Sequence, residues 1–117
     1  MRRSGHGAQV WSVAFSPDGR SVASVSSDGS AMVWELSGGA PSPIDHGCPL
    51  FSVAFSPDGG LLATAGHDLW ARTWDLTVGH EVKRLRHTAH VWAAAFSPDG
   101  TSLATASADG AIRVWHM

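Results

Sequence analysis

One cysteine, no tyrosine and few charged residues set the first limits on this 117-residue chain. A lone Cys48 excludes an internal disulfide framework and fits a reducing compartment, so a cytoplasmic location is expected. Charged residues make up 15%, the net charge is −2 and the pI is near 6.3. The basic residues are scattered apart from Arg2–Arg3 and the Lys83, Arg84, Arg86 cluster, a balance that speaks against nucleic acid or an anionic membrane as partner. No apolar run approaches the ~18 residues of a membrane-spanning helix, and no apolar stretch follows the charges of the first residues, MRRSGHG, as a signal peptide requires. Helical periodicity is absent throughout.

What is present is a phrase used three times. VAFSPDG stands at Val13–Gly19 and again at Val53–Gly59, and AAFSPDG at Ala94–Gly100, with starts 40 and then 41 residues apart. Trp34, Trp74 and Trp115 follow at the same offset. A period of this length means one supersecondary unit repeated, so a residue recurring in every copy is first a structural part of that unit. Within the third copy, VWAAAF, SLATAS and AIRVWH are separated by Ser-Pro-Asp-Gly and Ala-Asp-Gly, which predicts three short strands joined by tight turns. Equivalent strands are expected at Val10–Phe15, Ser21–Ser26 and Ala31–Leu36, and at Leu50–Phe55, Leu61–Gly66 and Trp70–Leu76. Glu81–Arg86 reads as an exposed edge strand and Pro43–Asp45 as a very short one. The fold class is all-β.

Further regularities bind the copies together. His6, His46 and His87 each precede the phenylalanine of their phrase by nine residues. Asp28, Asp68 and Asp109 stand six residues before the tryptophans, and Ser24, Thr64 and Thr105 four residues before those aspartates. On these residues the chain resembles the WD-repeat family of β-propellers. The resemblance implies three antiparallel blades, at 1–45, 46–86 and 87–117, with the outer strand of the third missing. It also implies three hydrogen-bonded tetrads, His6–Ser24–Asp28–Trp34, His46–Thr64–Asp68–Trp74 and His87–Thr105–Asp109–Trp115. In each, the indole donates, the hydroxyl relays, and a carboxylate accepts from the imidazole. Trp-Asp is intact only at Trp74–Asp75, and Leu69 replaces the glycines of the sister turns, Gly29 and Gly110. A positive φ there is expected to cost about 1 kcal/mol.

No catalytic residue, metal site or cofactor is expected. His87-x-x-His90 has metal-like spacing, but its first member belongs to a repeat and strand geometry separates the pair. No glycine-rich loop leads into a helix, and Cys48 has no basic neighbour. The resemblance implies instead a protein-interaction scaffold that docks a protein or peptide on the face around a central channel. Carried over by position, that face holds Gln9, Trp11 and Ser27, then Pro49, Phe51 and His67, then His90, Trp92 and Ala108. Trp11, Phe51 and Trp92 are aromatic anchors of a docking face or packing between blades; Trp11 shares the strand parity of Val13 and Phe15. The SPDG turns are similar to those of bacterial members, which implies a second reading as the sensing part of a larger signalling kinase or ATPase. Because propellers close with four to eight blades, three blades imply either a fragment or a self-assembling ring of six or nine.

Overall fold

The computed structural model describes residues 7–39, 42–45 and 47–117. Eleven strands form three antiparallel sheets in chain order. The first contains β1 (Val10–Phe15), β2 (Ser21–Ser26), β3 (Ser30–Glu35) and β4 (Ser42–Asp45). The second contains β5 (Leu50–Phe55), β6 (Leu61–Gly66), β7 (Trp70–Asp75) and β8 (His80–Arg86). The third has β9 (Val91–Phe96), β10 (Ser102–Ser107) and β11 (Ile112–His116), and no fourth strand among the described residues. These are the expected meanders, with strand ends shifted by a residue or so.

The Ser-Pro-Asp-Gly phrase builds the same turn three times. Gly19 donates its N–H to the Ser16 carbonyl at 2.9 Å, with φ of 73°. The Ser16 hydroxyl donates to Asp18 Oδ1 at 2.6 Å and accepts from the Ser21 N–H at 3.0 Å. Asp18 Oδ1 also accepts from the Arg20 N–H. Ser56–Leu61 and Ser97–Ser102 repeat the set. The serine donor in each turn holds Asp18, Asp58 and Asp99 below the ordinary carboxylate range, Asp99 down to about 2. Each hairpin is thus specified within six residues of sequence.

The core lies in the two seams between sheets. In the first, Leu50, Val53, Leu62 and Trp74 of the second sheet pack on Ala23, Val25 and Ala31 of the first. In the second, Val91, Ala94 and Leu103 pack on Ala63, Ala65 and Ala71. Large side chains from the later sheet therefore meet small ones from the earlier, which lets the sheets approach closely and fill the space. Gly66 meets a close approach within its own sheet: a Cβ there would lie 2.4 Å from the Pro49 carbonyl oxygen and 3.1 Å from Leu50 Cα of the paired strand.

One expectation about the turns needs correction. Leu69 does not take a positive φ; no described non-glycine residue does. Residues 67–69 run as a bend, unlike the turns at Gly29 (φ 88°) and Gly110 (φ 84°), and the Leu69 carbonyl accepts the His87 N–H at 2.6 Å. The Trp70 ring lies under the guanidinium groups of Arg84 and Arg86, at 5.7 and 5.4 Å.

Candidate protein-docking site

The first strand of every sheet carries a β-bulge near its start. Val10 pairs with Ser26 and Ser12 with Val25, leaving Trp11 as the extra residue. Leu50 and Ser52 pair with Gly66 and Ala65, leaving Phe51. Val91 and Ala93 pair with Ser107 and Ala106, leaving Trp92. A bulge resets the alternation of side chains and re-aims the inserted one. Val10, Val13 and Phe15 therefore share a sheet face that Trp11 leaves, and the same holds for Leu50, Val53 and Phe55 around Phe51. Strict alternation, which pairs Trp11 with Val13, does not apply across this point.

The backbone brings a second position beside each bulge. Ser27, His67 and Ala108 donate their N–H groups to the carbonyls of Gln9, Pro49 and His90, at 2.9, 2.9 and 2.8 Å. Each sheet thus presents the start of its first strand next to the residue preceding its turn aspartate. Across the three sheets these positions form one aromatic strip. Trp11 and Phe51 meet edge to face at 6.1 Å, and Phe51 and Trp92 are 4.8 Å apart, tilted by 35°. His67 and His90 stack at 3.9 Å, and His67 lies 6.2 Å from Phe51. His90 Nδ1 donates to the His67 carbonyl at 2.7 Å, and the Trp11 indole donates to the Ser27 hydroxyl. Trp11 is 52% exposed and Trp92 49%, so the strip is open to solvent although its rings touch. Gln9 is exposed at its end and joins through its carbonyl alone.

The repeated polar groups form a separate set. Trp34 donates to Ser24 Oγ at 3.0 Å, Trp74 to Thr64 Oγ1 at 2.9 Å and Trp115 to Thr105 Oγ1 at 3.0 Å. His6 and His46 lie outside the described residues. In the third sheet His87 is buried, with Nε2 2.7 Å from Thr105 Oγ1 and Nδ1 2.9 Å from the Leu85 carbonyl. Because a carbonyl only accepts, Nδ1 carries the proton and Nε2 accepts from the threonine hydroxyl. The relay therefore runs Trp115 to Thr105 to His87 to Leu85.

Asp109 stands apart from that relay, contrary to the expected imidazole–carboxylate bond. Its Oδ1 accepts from the Ser107 hydroxyl at 2.5 Å and the Ala111 N–H at 2.9 Å. Its Oδ2 accepts from the Thr88 hydroxyl and from Arg113 Nη2 at 3.0 Å. These donors, Ser107 first, hold its carboxyl far below the ordinary range. Thr88 is a partner that repetition could not reveal, because Gly47 stands at its place in the second copy, and Arg113 recurs in one other copy only. Arg72 pairs with Asp68 at 3.2 Å in the second sheet, but Met32 occupies that place in the first. Desolvation, aided by the charge of Arg113, pushes His87 below its ordinary 6.5 against the opposing pull of Leu85 and Asp109. Burial likewise pushes the Cys48 thiol up, away from the reactive thiolate. Among the described residues, no group of three His, Cys, Asp or Glu side chains is placed to hold a metal ion.

The comparisons with known proteins agree with this architecture. The family described as WD domain, G-beta repeat matches residues 1–35, 42–75 and 79–116. Striatin-4 of Mus musculus is 47% identical over 38 residues, and striatin-4 of Homo sapiens 45% over 38. Each alignment takes in 32% of this chain and 5% of the relative, so the chain corresponds to a small part of those proteins. With three repeats matched in sequence and laid out as three successive antiparallel sheets, the chain belongs to the WD-repeat family.

Proposed function

We propose that the chain is a protein-interaction scaffold that docks a peptide or protein segment on the strip formed by Trp11, Phe51, Trp92, His67 and His90. One observation carries this reading: three bulge residues from three separate sheets are all large aromatics, and Phe51 pairs with both Trp11 and Trp92 while those two remain half exposed. Aromatic rings held rigidly by their neighbours lose little side-chain entropy on binding, and residues of this kind dominate interface energies. His67 and His90 add imidazole edges that hydrogen-bond a peptide backbone, and Gln9 extends the polar rim. Affinity comes from desolvating the rings, without covalent chemistry. A cytoplasmic location belongs to the same proposal and rests on the single cysteine.

The test uses a displayed peptide library selected on the intact chain, followed by titration of the recovered peptides against Trp11→Ala and Trp92→Ala. Each substitution is expected to weaken binding at least tenfold, about 1.4 kcal/mol, with the far-ultraviolet circular dichroism unchanged. Unchanged affinity in both folded variants would remove the strip as the docking site. The reading as the sensing part of a larger signalling protein shares this site and puts the catalysis in another domain.

A further inference from the structure

The two seams differ where β1, β5 and β9 run into their Ser-Pro-Asp-Gly turns. There the first seam opens into a cavity of about 800 Å³ between the first and second sheets, within the range of ligand-sized clefts, roughly 300–1,000 Å³. Val33, Ile44, Phe55 and Leu76 give it apolar walls, and its charged residues are Asp18, Glu35 and Asp58. No lysine, arginine or histidine lines it among the described residues; Arg20 lines a neighbouring hollow that shares Glu35. Oδ1 of Asp18 and of Asp58 collects the donors of its turn, and Oδ2 takes part in none of those bonds. Glu35 accepts from the Ser21 hydroxyl at 3.1 Å. A cleft lined by one sign of charge concentrates ligands of the other sign.

The second seam shows what fills the equivalent place. Ser42 pairs with Val33, and Lys83 pairs with Thr73, the counterpart of Val33 in the next repeat. Lys83 Nζ crosses the second seam and donates to the His116 carbonyl of the third sheet at 3.1 Å. His116 is the counterpart of Asp75, which adjoins Leu76 and Thr77 of the cavity wall. β8 also continues to pairs at Glu81 and His80, whereas β4 pairs no further than Ser42 among the described residues. A lysine thus bridges one seam where a serine leaves the other open.

The geometry points to this cavity as a second docking site, for a segment of a partner protein that inserts a lysine or arginine flanked by apolar residues. The aliphatic stem lies along Phe55, Leu76 and Val33, as long basic side chains cover apolar surface. The charged head reaches the carboxylates of Asp18, Glu35 and Asp58 with charge-assisted hydrogen bonds. The apolar neighbours of that residue meet Ile44 and the exposed Val78 at the rim. The site is separate from the aromatic strip, which lies at the starts of β1, β5 and β9, so either can hold without the other.

The test titrates the nitrogen-15-labelled chain with a pool of short peptides that carry a central lysine between randomised apolar residues. A matched pool has glutamate at the centre. The lysine pool is expected to shift the Gly59, Val78 and Gly79 amides saturably and to leave the Trp11 and Trp92 indole signals in place, with no response to the glutamate pool. Ser42→Lys supplies from within the cation that the second seam already has, and should raise the half-saturating concentration at least tenfold. Glu35→Gln should raise it at least threefold. Both positions are exposed, and circular dichroism checks that each variant is folded. No saturable response to the lysine pool overturns the proposal, as does an equal response to glutamate or unchanged binding in a folded Ser42→Lys. Shifts confined to the indoles of Trp11 and Trp92 overturn it too, and leave the aromatic strip as the docking site. Shifts of the cavity amides with protein concentration alone would make a second copy the occupant instead.

Discussion

Burial holds His87 neutral near pH 7, and that has a measurable consequence. An imidazole whose folded-state pKa lies below 6.5 takes up its proton more readily in the unfolded chain. Its contribution is therefore complete above 6.5 and is lost as the pH falls from there toward the depressed value. The turn aspartates act in the opposite range: their lowered values add stability above about 3.8, lost as the pH falls through those values, near 2 for Asp99. Urea unfolding followed at stepped pH is expected to show one decline as the pH falls below 6.5 and a second below about pH 4. His87→Gln should flatten the first decline and leave the second. A first decline that persists in that variant would assign it to another group.

Among the elements, the hairpins and the bulges follow different rules. Each Ser-Pro-Asp-Gly turn closes with its own serine and aspartate, so its conformation is local and was legible as Pro and Asp-Gly punctuation. Gly66 is another case, because its reason lies across the sheet. A Cβ at 2.4 Å from the Pro49 carbonyl meets backbone that is itself part of the β5 bulge. Gly66→Ala is expected to destabilise by about 2 kcal/mol or more, in the range of overpacked sites. Leu69→Gly is expected to give no gain, because Leu69 is not in the left-handed region and glycine only adds freedom to the unfolded chain. Thermal midpoints of both variants check this. A stabilised Leu69→Gly would mean that the bend is strained after all.

At the scale of the molecule, the second sheet is packed on both faces and the outer two on one each. In repeat proteins each unit depends on its neighbours, so local opening is expected to start at the ends. Amide hydrogen exchange should be slowest in β5, β6 and β7 and fastest in β1 and β11 of the single chain. Uniform protection across the three sheets would contradict the view of the outer sheets as one-sided.

The amino-acid sequence by itself determined the repeat, the meanders and the indole–hydroxyl pairs, because period-two alternation, Asp-Gly turns and fixed offsets act over a few residues. It also marked Trp11, Phe51 and Trp92, but left open whether they pack between sheets or face solvent. That was decided by the bulges, whose register depends on pairing with a partner strand about fifteen residues away. The partner of His87 Nδ1 is by contrast local, the Leu85 carbonyl two residues back, and was missed because the expected tetrad gave that proton to a carboxylate. The unlike fates of Val53 and Val13 were decided by tertiary structure, although the phrase around them is identical. Burial depends on whether a neighbouring sheet covers the residue, and a repeat unit cannot encode its own neighbour.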